Sequence, residues 1–153
     1  MAYNFYGWQT AGEVKAKDTV YGRMAMSRGI MTPLDLYDAL SFVWCADTCA
    51  PRMRADWTEE NRTLGQCSIT AFLAQDIFGG LVYAMPTDNG GVHCYNQVDG
   101  HIFDLTSEQF GEKANTLCYE GNRIQERESP EHFGKEEKRQ RYEYLKKQLL
   151  ILY

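Results

Sequence analysis

The Asp99-Gly100 pair constrains this chain more than any other two residues. It joins two runs rich in β-forming residues, Val92–Val98 and His101–Thr106, and Asp-Gly in that position is the strongest short signal for a two-residue hairpin turn. Such a turn sets the register, with Val98 opposite His101, Tyr95 opposite Asp104 and His93 opposite Thr106. Side chains alternate, so His93, Tyr95 and Gln97 share a face with Ile102, Asp104 and Thr106. His93 and Asp104 are then diagonal neighbours at roughly 7–8 Å between backbones, a gap that imidazole and carboxylate can close. His101 leaves from the other face; a three-residue loop with a bulge would reverse that choice. Asn96, opposite His93, is expected to be structural.

Upstream, Ile69, Phe72, Leu73 and Ile77 recur at helical spacing and Gly79-Gly80 is a stop, since glycine takes the left-handed cap conformation without steric cost. Thr63-Leu64-Gly65-Gln66 fits a capping box. Thr63 or Gly65 as cap leaves Cys67 in the first turn, where free N–H groups and the helix dipole favour a thiolate. The same N–H groups suit an oxyanion, with Gln66 either capping the helix or adding a donor. A buried, inert thiol is the ordinary fate of a free cysteine, but His93 and Asp104 downstream favour a Cys-His-Asp triad.

The segments GQCSITAFLAQDIFGG and HCYNQVDGHIFDLTSEQF resemble the YunG-like family of small bacterial proteins, whose pattern is a GQC-x-x-T helix, an HYWN-type strand and a DLT-x-x-QF close. DALSFVWCADT upstream and RYEYLKKQLL downstream extend the likeness. That family carries no assigned activity. More distantly, GQC at a helix start followed by His and Asp on successive strands is similar to the transglutaminase-like and papain-like thiol enzymes. That resemblance implies their core, with Cys67 as nucleophile, His93 as base and Asp104 as orienting carboxylate. Ser68 stands where a transglutaminase usually has tryptophan, and the run from Cys67 to His93 is short.

The remaining segments fill in an α+β reading. Leu81–Met85 adds a strand, giving an antiparallel meander with the cysteine helix packed on one face. Pro86 to Gly91 is a turn-rich loop at the rim of the site. Thr32-Pro33-Leu34-Asp35 opens a helix with an apolar stripe of Leu34, Tyr37, Leu40 and Trp44. Trp57, in a connection with a short helical stretch at Asp56–Glu60, packs beside the cysteine helix or lines the cleft as a substrate-binding residue. Arg52 and Arg54 read as solvated, or as holding an anionic substrate. Thr106 and Gln109 suggest a second capping box. Residues 1–30 are expected to hold turns and one irregular strand, and Tyr119 to Phe133 an extended surface connection with a solvent-facing His132. The last helix, about 135–150, buries Tyr142, Leu145 and Leu149, with Lys146-Lys147 at its dipole-matched end and an apolar tail that docks or meets a second subunit.

The 153 residues suit a single domain with its core at about 32–118. A net charge of -5 argues against a nucleic-acid partner. The absence of a long apolar run argues against a membrane. Five cysteines and a start, MAYNFYGWQT, unlike a signal peptide point to reduced thiols in a cytoplasm. A zinc site through Cys45, Cys49, Cys94 and a histidine is disfavoured, because structural zinc sites more often pair C-x2-C knuckles. The expectation is a cofactor-free thiol hydrolase or acyltransferase acting on a peptide, protein or small acyl substrate. The alternative is a non-catalytic peptide- or protein-binding module that keeps the core.

Overall fold

The computed structural model describes residues 2–88 and 90–153. In chain order its elements are α1 (Trp8–Ala11), α2 (Val20–Met26), α3 (Pro33–Leu40), α4 (Cys67–Phe78), β1 (Leu81–Pro86), β2 (Val92–Val98), β3 (His101–Phe103), β4 (Arg123–Ile124) and α5 (Glu136–Leu152). Turns of 3-10 helix occupy Ala46–Thr48, Pro51–Asp56 and Ser107–Thr116. The strands form one antiparallel sheet in the order β3-β2-β1-β4, so the architecture is α+β.

The hairpin has the register that its turn demands. Val98 pairs with His101, Gln97 with Ile102 and Asn96 with Phe103. Asp99 and Gly100 both take positive φ, 51° and 83°, as a turn matching the strand twist requires. One sheet face carries Cys94, Asn96 and Val98 against α4, where the Asn96 amide donates to Ala71 O at 2.8 Å. The other carries a small cluster of Met85, Tyr95 and Tyr119.

Helix α4 is the centre of the core. Ile69, Phe72, Leu73 and Ile77 are all buried, each contributing about 2 kcal/mol from apolar area removed from water. α2, α5, β1 and β2 pack around it. At its end Gly79 and Gly80 adopt φ of 77° and 75°. A Cβ on Gly80 would stand 2.4 Å from Gln97 O, so this close approach to β2 requires glycine. Helix α3 opens where Thr32-Pro33 places it, and Thr32 and Asp35 cap each other in a box. It ends at Leu40, leaving Trp44 beyond it, buried and donating to Thr70 Oγ1 at 3.0 Å.

Several expectations are corrected. Residues 2–30 hold two short helices, and Tyr6 bridges Asp104 through Asp104 N to Tyr6 O at 2.9 Å. The stretch after Trp57 is a turn closed by Thr58 and Asn61, its helical turn lying earlier at Pro51–Asp56. The Tyr119–Phe133 connection is not merely a surface run. It adds β4 to the edge of β1 and carries Tyr119, His132 and Phe133 into the interior. Helix α5 continues to Leu152, so Lys146 is not at its end; it lies over the rings of Tyr21 and Tyr142 at 4.4 and 4.7 Å. Ile151, Leu152 and Tyr153 are exposed. Of the rim loop, Asn89 lies outside the described residues; Thr87 N bonds Gly91 O at 2.9 Å and closes it. Among the described residues no helix is long and apolar enough to cross a membrane.

Candidate active site

Cys67 is the first residue of α4. The first helical bond runs from Thr70 N to Gln66 O at 3.1 Å, so the N–H groups of Cys67, Ser68 and Ile69 have no partner within the helix. The helix start is set by a route other than the expected capping box. Gln66 occupies the cap position without a side-chain cap bond, and its amide donates to Cys45 O at 3.1 Å instead. Thr63 Oγ1 is buried without a partner among the described residues. Gly65 makes the turn, at φ 70°, where a Cβ would stand 2.5 Å from Cys49 Sγ. Gly65 N is held by Gln109 Oε1 at 3.3 Å, and the Gln109 amide donates to Thr106 O at 2.9 Å. Gln109 thus ties the loop after β3 to the cysteine, and the expected Thr106 capping box is absent.

Strand β3 ends at Phe103 rather than at Thr106, and Asp104 bridges Tyr6 in place of the expected Tyr95, yet His93 and Asp104 still meet on the face that strand parity assigns them. His93 Nε2 lies 2.6 Å from Asp104 Oδ2, with both side chains 1 % exposed. Such a pair survives burial only when its other polar atoms are satisfied. Asp104 Oδ2 also accepts from Tyr119 Oη at 2.7 Å, while Oδ1 accepts from Thr106 N at 3.2 Å and Thr106 Oγ1 at 3.4 Å. Tyr119 is stacked on Tyr6 at 3.8 Å between ring centroids. Burial and the Asp104 charge push its hydroxyl pKa up, so it stays a donor. Phe110 sets its ring edge-on to His93 at 4.8 Å.

The cysteine and histidine are electrically coupled. Cys67 lies at the end of the sheet where β2 begins, its sulfur 4.0 Å from Val92 O, and His93 and Cys94 line the same cleft. A hydrogen bond from Cys94 holds the Cys67 thiol well below its ordinary range; burial opposes this, and the His93 imidazolium adds to it. Cys94 is pushed correspondingly up, remaining the protonated donor. Burial alone would lower His93, but the Asp104 charge and hydrogen bond, with Cys67 behind them, raise it to about 10. Nδ1 of His93 is buried without a closed hydrogen bond to any described residue. With Nε2 committed to Asp104, Nδ1 is the ring atom left for the sulfur.

The cleft has a volume of about 620 Å³ and is bounded by the Pro51 turn, the start of α4, the loop before β2 and the first turns of α5, a size that accommodates a small ligand or a few residues of peptide. Neither Trp57 nor Gln66 lines it. The Trp57 indole donates to Arg62 O at 2.9 Å within its own turn, and Gln66 is fully buried. The Trp57 indole and the Gln66 amide are spent inside the fold, Gln66 Oε1 is buried without a partner among the described residues, and neither side chain reaches the cleft as a substrate-binding residue. Arg54 is likewise committed, to the carbonyls of Ala46 and Cys49 at 2.9 and 3.1 Å. His132, expected in solvent, is fully buried. Its Nε2 lies 2.7 Å from Gln125 Oε1 and its Nδ1 3.2 Å from Lys138 Nζ. Among the described residues no group of three or more His, Cys, Asp or Glu could hold a metal ion. Sequence reasoning missed Tyr119, Phe110 and Gln109 as site residues. The last two are the QF of the DLT-x-x-QF pattern, which was signal enough.

A family model described as YunG protein matches residues 32–151, and the chain belongs to that family. It is 46% identical over 54 residues to the Uncharacterized protein YunG of Bacillus subtilis (strain 168), an alignment covering 35% of this chain and 46% of that protein. The chain thus spans about half the length of the curated relative it matches. No solved structure matches.

Proposed function

We propose that this YunG-family member is a cysteine-dependent acyl hydrolase or acyltransferase using Cys67, His93 and Asp104, on a papain- or transglutaminase-like core. One observation carries the reading. A buried histidine is held by a carboxylate through Nε2 at 2.6 Å, which leaves its other ring nitrogen for a cysteine at the first position of a helix in an open cleft.

The Cys67 thiolate adds to the carbonyl carbon of an amide, ester or thioester, forming a C–S bond while the C=O electron pair moves onto oxygen. The free N–H groups at the start of α4 hold that oxyanion. The oxyanion collapses, the bond to the leaving group breaks, and the His93 imidazolium gives that group its proton. A thioester remains on Cys67. Water or an amine then attacks it, His93 takes the attacking group's proton, and the thiolate leaves. Asp104 keeps the imidazole oriented and stabilises its charge throughout. Thr87, Gly90 and Gly91 edge the cleft beside the incoming acyl group.

The test is acylation by p-nitrophenyl acetate, followed by nitrophenolate release and peptide mapping. The expected result is one acetyl group on Cys67, formed in a burst in wild type, and strongly slowed in a folded His93→Ala variant. Acetylation of Cys67 no faster than of the exposed Cys118 refutes the nucleophile and leaves a binding module.

A further inference from the structure

The cleft is basic although the chain is acidic, with a net charge of -5. Arg52, Lys135, Lys138 and Arg141 line it against Glu131 and Glu137. The last of these cations is spent: Arg141 Nε pairs with Glu137 and its Nη1 donates to Thr48 O at 3.0 Å. The other three make no ion pair among the described residues. Glu131 is the acid of the lining that is left, so the uncommitted charge is positive.

Lys138 is the informative member. It is half-buried, and its ammonium donates to Glu131 O at 2.7 Å and to His132 Nδ1 at 3.2 Å, both neutral acceptors. His132 accepts because burial, then Lys138 itself, lower its pKa to about 4 and keep the ring neutral. Its Nε2–H is then free to donate to Gln125 Oε1. An ammonium so placed has lost water and gained no ion-pair contact, the Cys67 charge favouring it only through space, an arrangement that costs stability. Its position repeats the point. Lys135 and Lys138 sit at the cap and in the first turn of α5, the end of a helix where the dipole disfavours cations. Neither helix stability nor a structural ion pair accounts for them.

We propose that the acyl substrate carries an anionic group, a carboxylate or phosphate, that seats on Lys138, with Arg52 and Lys135 drawing it in at the mouth of the cleft. The proposal rests on Cys67 being the nucleophile, since it is the acyl group on that sulfur that the anion orients.

Two alkylating probes of one shape test it, iodoacetate (anionic) and iodoacetamide (neutral). In both, the Cys67 sulfur displaces iodide, so the ratio of the two rates cancels the thiolate fraction and reports only the charge around the probe. Relative to the ratio for 2-mercaptoethanol, Cys67 is expected to favour iodoacetate about tenfold, as attraction by nearby cations at an intermediate dielectric implies. Lys138→Met should collapse the preference, Lys138→Arg should retain it, and Arg52→Gln with Lys135→Gln, on exposed side chains, should lower it without risk to the fold. Protection of Cys67 against iodoacetamide by succinate marks a carboxylate site, and protection by inorganic phosphate a phosphate site. Fast reaction with iodoacetamide but no iodoacetate preference, or a preference that survives loss of these cations, or no protection by either anion, overturns the anion site alone. Slow reaction with both probes overturns the nucleophile, and this proposal with it.

Discussion

Replacing Asp104 by asparagine isolates the carboxylate that the site is built around. His93 is raised from 6.5 to about 10 although burial would lower it, with Asp104 the larger source of the rise and Cys67 the smaller. At 1.36 kcal/mol per unit, that is on the order of 5 kcal/mol in favour of imidazolium. Asparagine keeps the shape and an acceptor for Nε2–H but removes the charge. Burial then dominates, His93 becomes neutral near pH 7, and the thiol loses the imidazolium that helps to hold it down. Its titration should climb toward the ordinary 9.0, where about 1% of a thiol is ionised at pH 7.

The assay is the rate of iodoacetamide alkylation of Cys67 against pH, read by peptide mass mapping. The midpoint is the decisive quantity rather than the rate at one pH. A thiolate becomes up to about threefold more nucleophilic for each unit by which its pKa rises, which hides part of the loss. The asparagine NH2 group then faces the Thr106 N–H and hydroxyl that had donated to Oδ1, so about 1–3 kcal/mol of stability is lost, and urea denaturation must show that the variant is folded. A folded Asp104→Asn protein whose midpoint stays with the wild type refutes the coupling from Asp104 through His93 to Cys67. A wild-type midpoint at or above 9.0 refutes the thiolate itself.

Three further outcomes follow from the same network. Tyr119→Phe removes one donor from the buried Asp104 carboxylate while keeping its stack on Tyr6; about 2 kcal/mol of stability should go in urea titration, with the Cys67 midpoint little changed. Cys94→Ala removes the hydrogen bond that most lowers the Cys67 thiol, so the alkylation midpoint should rise although Asp104 and His93 are intact. Stability should be flat from pH 6.5 to 9 as far as the Cys67–His93 pair is concerned, because folded and unfolded chains each hold one proton on it, on His93 when folded and on Cys67 when unfolded. Above 9 the unfolded thiol ionises, and stability falls as pH rises through the folded value of His93, about 10. Below 6.5 the unfolded histidines take up protons that the fold resists. His132, at about 4 when folded, adds about 3 kcal/mol to that acid loss, which His132→Gln should remove in chemical denaturation at pH 4 to 7.

What could be read from the chain, and what could not, divides by how far away the determining partner lies. The His93–Asp104 pairing was legible because a two-residue turn sets the register up to Phe103 and parity carries it one residue on, although the backbone partner of Asp104, Tyr6, was not. The helix start at Cys67 was legible, but its cap was not. Gln66 had a plausible local partner in Thr63 and took Cys45 O, twenty-one residues back, once Gly65 had turned the chain. His132 and Tyr119 lie in a polar stretch without periodicity, which reads as surface. Pairing of β4 with β1 leads that stretch past the site, and Gln125, Lys138 and Phe72 then enclose the imidazole.

The buried carboxylate nonetheless announces more than its diagonal histidine. To remain ionised out of water, Asp104 needs donors on both oxygens. Strand parity supplies His93, and the following turn supplies Thr106 twice. That leaves a lone-pair direction on Oδ2 which some residue must fill, and Tyr119 fills it. The same reasoning applies to the cleft in reverse. Lys138 is a cation whose hydrogen-bond acceptors are all neutral and whose one opposing influence is the reacting Cys67 itself, so a direct anionic partner is left for a ligand to supply. Where a buried charge is fully answered by the fold, as at Asp104, it speaks to architecture; where it is left half answered, as at Lys138, it points to what binds.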